Sequence, residues 1–421
     1  MIPVRPLAEY RIDHSAVVDP ETISSAKSLI EAVRSGGDAA LRKMTLEFDG
    51  VALDSLEVPR AVIESSQSRV PSGVQKAIRS AYENILAYHR KGVLEAFEFE
   101  SQSGVTVGRK VVPFSRAGLY APGGLAVYPS MVLMGAGPAR IAGVEEIVLC
   151  SPPTKEGILP DPVLYAALIA GIDRVFLLGG AHAIAAMAYG TQSIPSCDII
   201  AGPGNRFVTA AKKIVSEDVA IDFLAGPSEV LVLSDGSTSS RLIAAEMIAQ
   251  AEHAPDACSI LVTSSSKQAE EVGQELSEQI ENRERRELIG TALEDHGALL
   301  VAESLPDAID FSNRYAPEHL VLSVGDPEGV LTQIQNAGSV FLGEYSPVAI
   351  GDYCSGPNSI LPTLGLSRRL GGLTANSFLK TVSWQKVTPQ GLTSLAKVAL
   401  PIARVENLEG HAASIEMRDE P

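Results

Sequence analysis

Four short stretches hold side chains that could do chemistry together. The first is Gln250-Ala251-Glu252-His253. Residues three apart on a helix share a face, so Gln250 and His253 can point at one atom. An amide oxygen and an imidazole nitrogen can both ligate a divalent cation. Ala254-Pro255 follows, and a residue before Pro leaves helical geometry. The pair is thus predicted in the last helical turn, where the negative end of the helix favours a cation. Taken alone, it also fits a surface Gln and a helix-capping His. The second stretch is Pro317-Glu318-His319. A carboxylate beside an imidazole suits paired proton transfers, because their reference pKa values bracket the useful range. It also fits a His opening an edge strand beside a solvated Glu. The third, Gly351 to Ser359, reads as an ordered polar loop with one carboxylate, Asp352. The fourth, Glu406-Asn407-Leu408-Glu409-Gly410-His411, puts a His among acids in a tail. Asp352 and His411 could complete a metal site, but spacing does not join them. His14, His89 and His296 carry no visible chemical signal.

The elements around these stretches alternate. A helix is expected from near Ser239, with Ile243, Met247 and Gln250 along one side. Before it, apolar runs at Glu146–Cys150, Arg174–Leu178, Asp198–Ala201, Ala220–Leu224 and Val230–Ser234 are separated by helical patterns. After it, runs at Ser259–Thr263, Ala298–Ala302, His319–Ser323 and Ser339–Gly343 repeat the plan, with one long charged helix reaching about Thr291. Such alternation predicts an α/β fold of parallel sheets with covered faces. Ligands then sit beyond the carboxyl ends of the strands. Glycine-bearing turns at Gly118–Gly124, Gly179-Gly180 and Gly202-Pro203-Gly204-Asn205 fall on one such edge, and backbone N–H groups there can hold an anion. At the start, helices are expected over 19–48, stopped by Gly36-Gly37, and over 59–90. Residues 406–418 read as a tail of alternating polarity.

Composition narrows the function classes. The chain has 421 residues, with Lys+Arg 34 against Asp+Glu 51 and a formal net charge of −17. Such a chain repels phosphate backbones, so nucleic acid is not an expected partner. Cys150, Cys197, Cys258 and Cys354 form no Cys-x-x-Cys pair and read as core thiols in a reducing compartment. No apolar run approaches the roughly 18 residues of a membrane helix, and no signal segment opens the chain. A cytoplasmic protein is expected. The dinucleotide fingerprint G-x-G-x-x-G is absent. The residues alone leave a metal-dependent hydrolase or aldolase as open as a dehydrogenase.

Taken together, the motifs resemble those of the histidinol dehydrogenase family. They are Gly118-Leu119-Tyr120-Ala121-Pro122-Gly123-Gly124, Gly202-Pro203-Gly204-Asn205, Ala225-Gly226-Pro227-Ser228-Glu229, Gln250-Ala251-Glu252-His253, Asn313 to Leu320 and Gly351-Asp352-Tyr353. They occur in family order over roughly residues 20–418. The resemblance implies two incomplete Rossmann-like parallel-sheet domains, a small helical appendage and a C-terminal tail exchanged in a homodimer. The expected division is 16–115 with 231–372, then 116–230 on the NAD side, 1–15 with 373–400, and 401–421. It implies one Zn2+ per subunit on Gln250, His253, Asp352 and a partner-supplied His411. Glu318 and His319 would be the catalytic acid–base pair. Tyr120, His182 and Asn205 would touch NAD. Ser228, Glu406, His319 and the metal ligands would touch substrate.

The implied reaction takes L-histidinol through L-histidinal to L-histidine with two NAD. Three positions depart from the family pattern: His182 stands for a usual Gln, Ser359 for a usual His beside the substrate, and Ala254 for a usual Gly. Ser359 and His182 leave a second reading open, a paralogue oxidising another small polar alcohol such as a sulfopropanediol. A third is a catalytically silent dimer kept for binding, which the intact metal and acid–base sets oppose.

Overall fold

Buried runs of Val, Ile and Leu bounded by glycine turns become parallel strands here, as burial on both faces demands. The computed structural model describes residues 2–14, 18–123 and 127–419. Gly124 of the glycine-rich stretch and the expected boundary at residues 15 and 16 lie outside them.

Two parallel sheets carry the fold. The first has five strands in the order Arg174–Leu177, Glu146–Ser151, Arg116–Tyr120, Ile199–Ala201, Ala220–Ile221. The second has six, in the order Val4–Pro6, Gly297–Val301, Cys258–Thr263, Glu229–Ser234, His319–Ser323, Ser339–Leu342. In each, the chain lays strands to one side of the first-formed central strand and then crosses to the other. That reversal makes a topological switch point, beside Arg116–Tyr120 in one sheet and Glu229–Ser234 in the other. The run at 229–234 belongs to the second sheet, and so starts it instead of closing the first block. A third, antiparallel sheet of Phe97–Gln102, Val105–Pro113 and Leu379–Val387 joins the region before the first sheet to the region after the second. Of its strands, the middle one already shows strand spacing in the sequence, over Val105–Val112.

Several helices differ from expectation for identifiable reasons. Asp19 caps the first helix by accepting from the Thr22 N–H at 2.7 Å. Gly36-Gly37 kinks this helix without ending it: Gly37 takes φ 53°, and the helix resumes to Asp49. The second expected helix divides at Val70-Pro71 into Arg60–Arg69 and Ser72–Lys91. The charged helix after 263 divides into Ser266–Ile280 and Arg286–His296. The tail is itself a helix, Glu409–Asp419, packed on Pro389–Val405.

Ile30, Val33 and Leu41 share a core with Ile184 and Met187, and Ile78 and Ile85 share one with Leu133 and Met134. The early helices therefore cover the five-stranded sheet's own helices. Residues 4–6 edge the six-stranded sheet. All four cysteines are free, with Cys150 and Cys197 buried. No described helix is long and apolar enough to cross a membrane.

Candidate functional site

The expected acid–base pair, Glu318 and His319, follows a turn of unusual backbone. The helix Leu305–Tyr315 ends on Ala316, a buried non-glycine residue at φ 56° and ψ 63°. Left-handed geometry is costly for an L-residue and tends to persist where function over-determines it. After this turn Glu318 and His319 enter the six-stranded sheet, His319 as first residue of its strand. Both are nearly inaccessible, at 6% and 4% exposure. They lie at the amino ends of the strands, opposite to the usual ligand edge of such sheets.

His319 Nδ1 lies 3.1 Å from the Glu229 carbonyl oxygen. A carbonyl only accepts, so Nδ1 carries the proton and Nε2 is the free nitrogen. Nε2 has no hydrogen-bond partner and lies 3.6 Å from Asp352 Oδ1, an ion-pair distance too long for a hydrogen bond. Glu318 Oε2 lies 3.5 Å from His319 Nδ1 and accepts the Glu229 N–H at 2.8 Å. Burial pushes the Glu318 carboxyl up to about 8, opposed by His319 and reinforced by Glu229 and Asp352. Burial alone would lower His319, but the carboxylates of Glu318 and Asp352 outweigh it and lift the imidazole to about 9. A cation at Asp352 would take up one of the two negative charges that raise His319, and so favour the neutral imidazole. Asp352, expected in a loop, lies in the last turn of the short helix Val348–Tyr353. His319, Asp352, Asn358 and Ser359 line one cavity of about 300 Å³. Asn358 anchors that wall by donating to the Met134 carbonyl at 2.7 Å, with His89 Nε2 at 3.3 Å.

Gln250 and His253 meet, though not inside one helix. The helix Ser240–Ala251 closes before His253, whose Nδ1 lies 3.2 Å from the Gln250 carbonyl oxygen. That bond fixes the tautomer and leaves Nε2 free, as metal-binding imidazoles commonly require. The Gln250 amide is buried, and its Nε2 has no partner. The Gln250 amide oxygen and the oriented His253 imidazole are donor types that fit a mixed N/O cation site. Among the described residues no three His, Cys, Asp or Glu side chains cluster as metal ligands. Glu406 and His411 are exposed on the terminal helices. Ser228 is half-buried, directly before the central strand.

A second group gathers at the carboxyl edge of the five-stranded sheet. Tyr120 OH accepts the Gly180 N–H at 3.1 Å. Gly202, at φ 123°, passes so close that a Cβ would lie 2.1 Å from the Tyr120 carbonyl oxygen. Asn205 is exposed and caps the helix Arg206–Val215, its Oδ1 accepting from Phe207 and Val208. Its NH2 remains as a donor. His182 is buried against Phe48, with ring centroids 5.9 Å apart, and burial lowers it to about 4. It is therefore neutral, and its Nε2 has no partner.

Sequence reasoning missed three groups. Glu229 is a buried carboxylate heading the apolar run Val230–Leu233, which was a visible anomaly. Asp49 keeps one oxygen buried without a partner, and burial raises it to about 6. Lys212 and Asp222 form a buried ion pair that clamps Gly202. Lys212 Nζ donates to the Gly202 carbonyl at 3.1 Å, and Asp222 Oδ2 accepts the Gly202 N–H at 2.8 Å. Lys212→Met strands the Asp222 charge, a change that typically costs about 3–5 kcal/mol. The expected result is a lower urea midpoint at unchanged slope; an unchanged midpoint would show that solvent reaches the pair.

The geometry has counterparts among known proteins. The chain matches the family model for histidinol dehydrogenase over residues 13–419. The histidinol dehydrogenase of Methanothermobacter thermautotrophicus is 47% identical over 408 residues, covering 97% of this chain and 95% of that protein. That of Methanosarcina mazei is 48% identical over 395 residues, covering 94% and 91%. The crystal structure of histidinol dehydrogenase from Elizabethkingia anophelis aligns with a TM-score of 0.94 at 34% identity, covering 99% of this chain and 98% of that one.

Proposed function

The chain belongs to the histidinol dehydrogenase family, and from that premise we propose that it oxidises L-histidinol to L-histidine through L-histidinal. NAD is the acceptor in this reading, and Zn2+ is the metal. The observation that carries it is the buried Glu318–His319 pair, with His319 lining a cavity and its Nε2 free. When bound, NAD supplies the hydride acceptor, and zinc takes up the Asp352 charge while orienting the substrate's amine and imidazole.

The chain's own residues do the rest. His319 Nε2 takes the hydroxyl proton as a hydride leaves the alcohol carbon, giving the aldehyde. Glu318 takes a proton from water as that water adds to the aldehyde. As that water adds, His319 returns its first proton to the aldehyde oxygen; it then takes a hydroxyl proton from the hydrate as the second hydride leaves, and the carboxylic acid so formed ionises to the carboxylate. Each such transfer typically contributes about 10²–10⁴-fold. Keeping the aldehyde bound in the site between the steps avoids losing a reactive intermediate.

Gln250, His253 and Asp352 are the proposed ligands within one chain. His411 is proposed to come from a second copy. The terminal helices support this: Val398, Ile402, Val405 and Met417 are bare, Val405 at 85% exposure. An apolar face of this kind marks an association surface. Tyr120, Asn205 and His182 are the proposed NAD contacts, and Ser228 and Glu406 the further substrate contacts. With neutral His182 turned onto Phe48, cofactor affinity on that side rests more on Tyr120 and Asn205.

The test is NADH formation with L-histidinol beside a sulfonated propanediol. The expected result is two NADH per L-histidinol consumed. Turnover of the diol with none of histidinol would replace this reading with the second one, for which Ser359 in the cavity wall speaks.

A further inference from the structure

Glu229 heads the central strand of the six-stranded sheet, between Cys258–Thr263 and His319–Ser323. It is 1% exposed, and the five residues that follow it in the strand are buried too. A carboxylate in such a place is costly unless every oxygen is occupied. Here both are: Oε1 accepts the Glu318 N–H at 3.1 Å and the Leu364 N–H at 3.0 Å, and Oε2 accepts Tyr315 OH at 3.1 Å. The main chain of the same residue grips the same neighbours. Its N–H donates to Glu318 Oε2 at 2.8 Å, and its carbonyl accepts from His319 Nδ1 at 3.1 Å. Three of these five bonds end on the acid–base pair.

We propose that Glu229 is the positioning residue of the Glu318–His319 pair, acting through the length and acceptor geometry of its side chain. This rests on the acid–base roles proposed above. The two main-chain bonds survive any substitution, so His319 keeps its tautomer. The side-chain bonds do not. They hold the backbone of Glu318, tie it to the segment at Leu364, and lock the end of the helix Leu305–Tyr315 through Tyr315. Without them the Glu318 carboxylate keeps only the Glu229 N–H and its carbonyl only the Ser339 N–H, while its own N–H is unheld, so the residue shifts about those bonds relative to the point where water must attack. Misplacements of about 1 Å can cost about 10²-fold in rate. Substrate binding uses other side chains, so KM should not follow kcat.

Two variants separate this role from the alternatives. Glu229→Gln keeps the length and the Oε1 acceptor, and Tyr315 OH can turn to accept from the new NH2. Glu229→Asp keeps the charge and loses the reach. The expected order is Gln above Asp: kcat falls by less than about tenfold for Gln and by about 10²-fold for Asp, with KM within about threefold in both. Urea midpoints, read on the same preparations, should not rank with kcat. An inverted order, Asp active and Gln not, would show that charge and not position matters, and overturn the proposal. So would kcat unchanged in both, or kcat tracking the folded fraction. Each variant is measured on whichever alcohol the unaltered chain oxidises. A wrong substrate therefore leaves the order intact, whereas a wrong role for Glu229 erases it.

Discussion

His319→Asn is expected to lower kcat for L-histidinol by about 10²–10⁴-fold while bound zinc and the unfolding midpoint stay unchanged. The reasoning starts from the two faces of the ring. Nδ1 is committed to the Glu229 carbonyl, and an Asn side-chain NH2 can make that bond. Nε2 is the only face turned to the cavity and Asp352. Asn has no titratable nitrogen there, so a proton acceptor is lost and little else. The loss should appear in kcat and kcat/KM together, as for an interaction made in the transition state. Equilibrium zinc measurement on the dialysed variant is the control. Loss of zinc would move His319 from proton transfer to metal binding and overturn the assignment.

Removing every residue after Val405 should abolish turnover, to below about 10⁻³ of the intact chain, and empty the metal site. Glu406 and His411 are lost together. The cost to the rest of the fold should be small, because the helix Glu409–Asp419 packs mainly on Pro389–Val405 and both expose apolar side chains. A single chain holds no third His, Cys, Asp or Glu to complete the site among its described residues. The informative control mixes the truncated chain with a full-length His319→Asn chain. If tails cross between subunits, mixed dimers recover activity, since the truncated copy brings an intact His319 and receives a partner's tail. Full activity in the truncated protein alone would rule out a tail-supplied ligand.

The alternation of apolar runs and glycine turns made both parallel sheets legible, because a strand buried on both faces needs continuous Val, Ile and Leu. The strand His319–Ser323 was read to the residue for that reason. The second parallel sheet's working edge was not legible. A pair such as Glu318-His319 looks the same at either end of a strand, and only the packing puts it at the amino end. The kink at Gly37 was misread as a stop because glycine permits both, and contacts further along the chain decide. The helix Glu409–Asp419 was missed because its polar face and short length give little periodicity. Glu229 was quoted as part of a motif and given no role. Its function lies in bonds to residues 86 to 135 positions away, a distance no local pattern reports.

His319 opens a strand that has a hydrogen-bonded neighbour on each side, Glu229–Ser234 and Ser339–Leu342. Interior strands open to solvent deuterium last, through the largest cooperative unit of the fold. Fraying at the chain ends or at surface turns should therefore leave the imidazole where it is. Heat inactivation of this half of the centre then becomes an all-or-none event that coincides with collapse of the whole sheet.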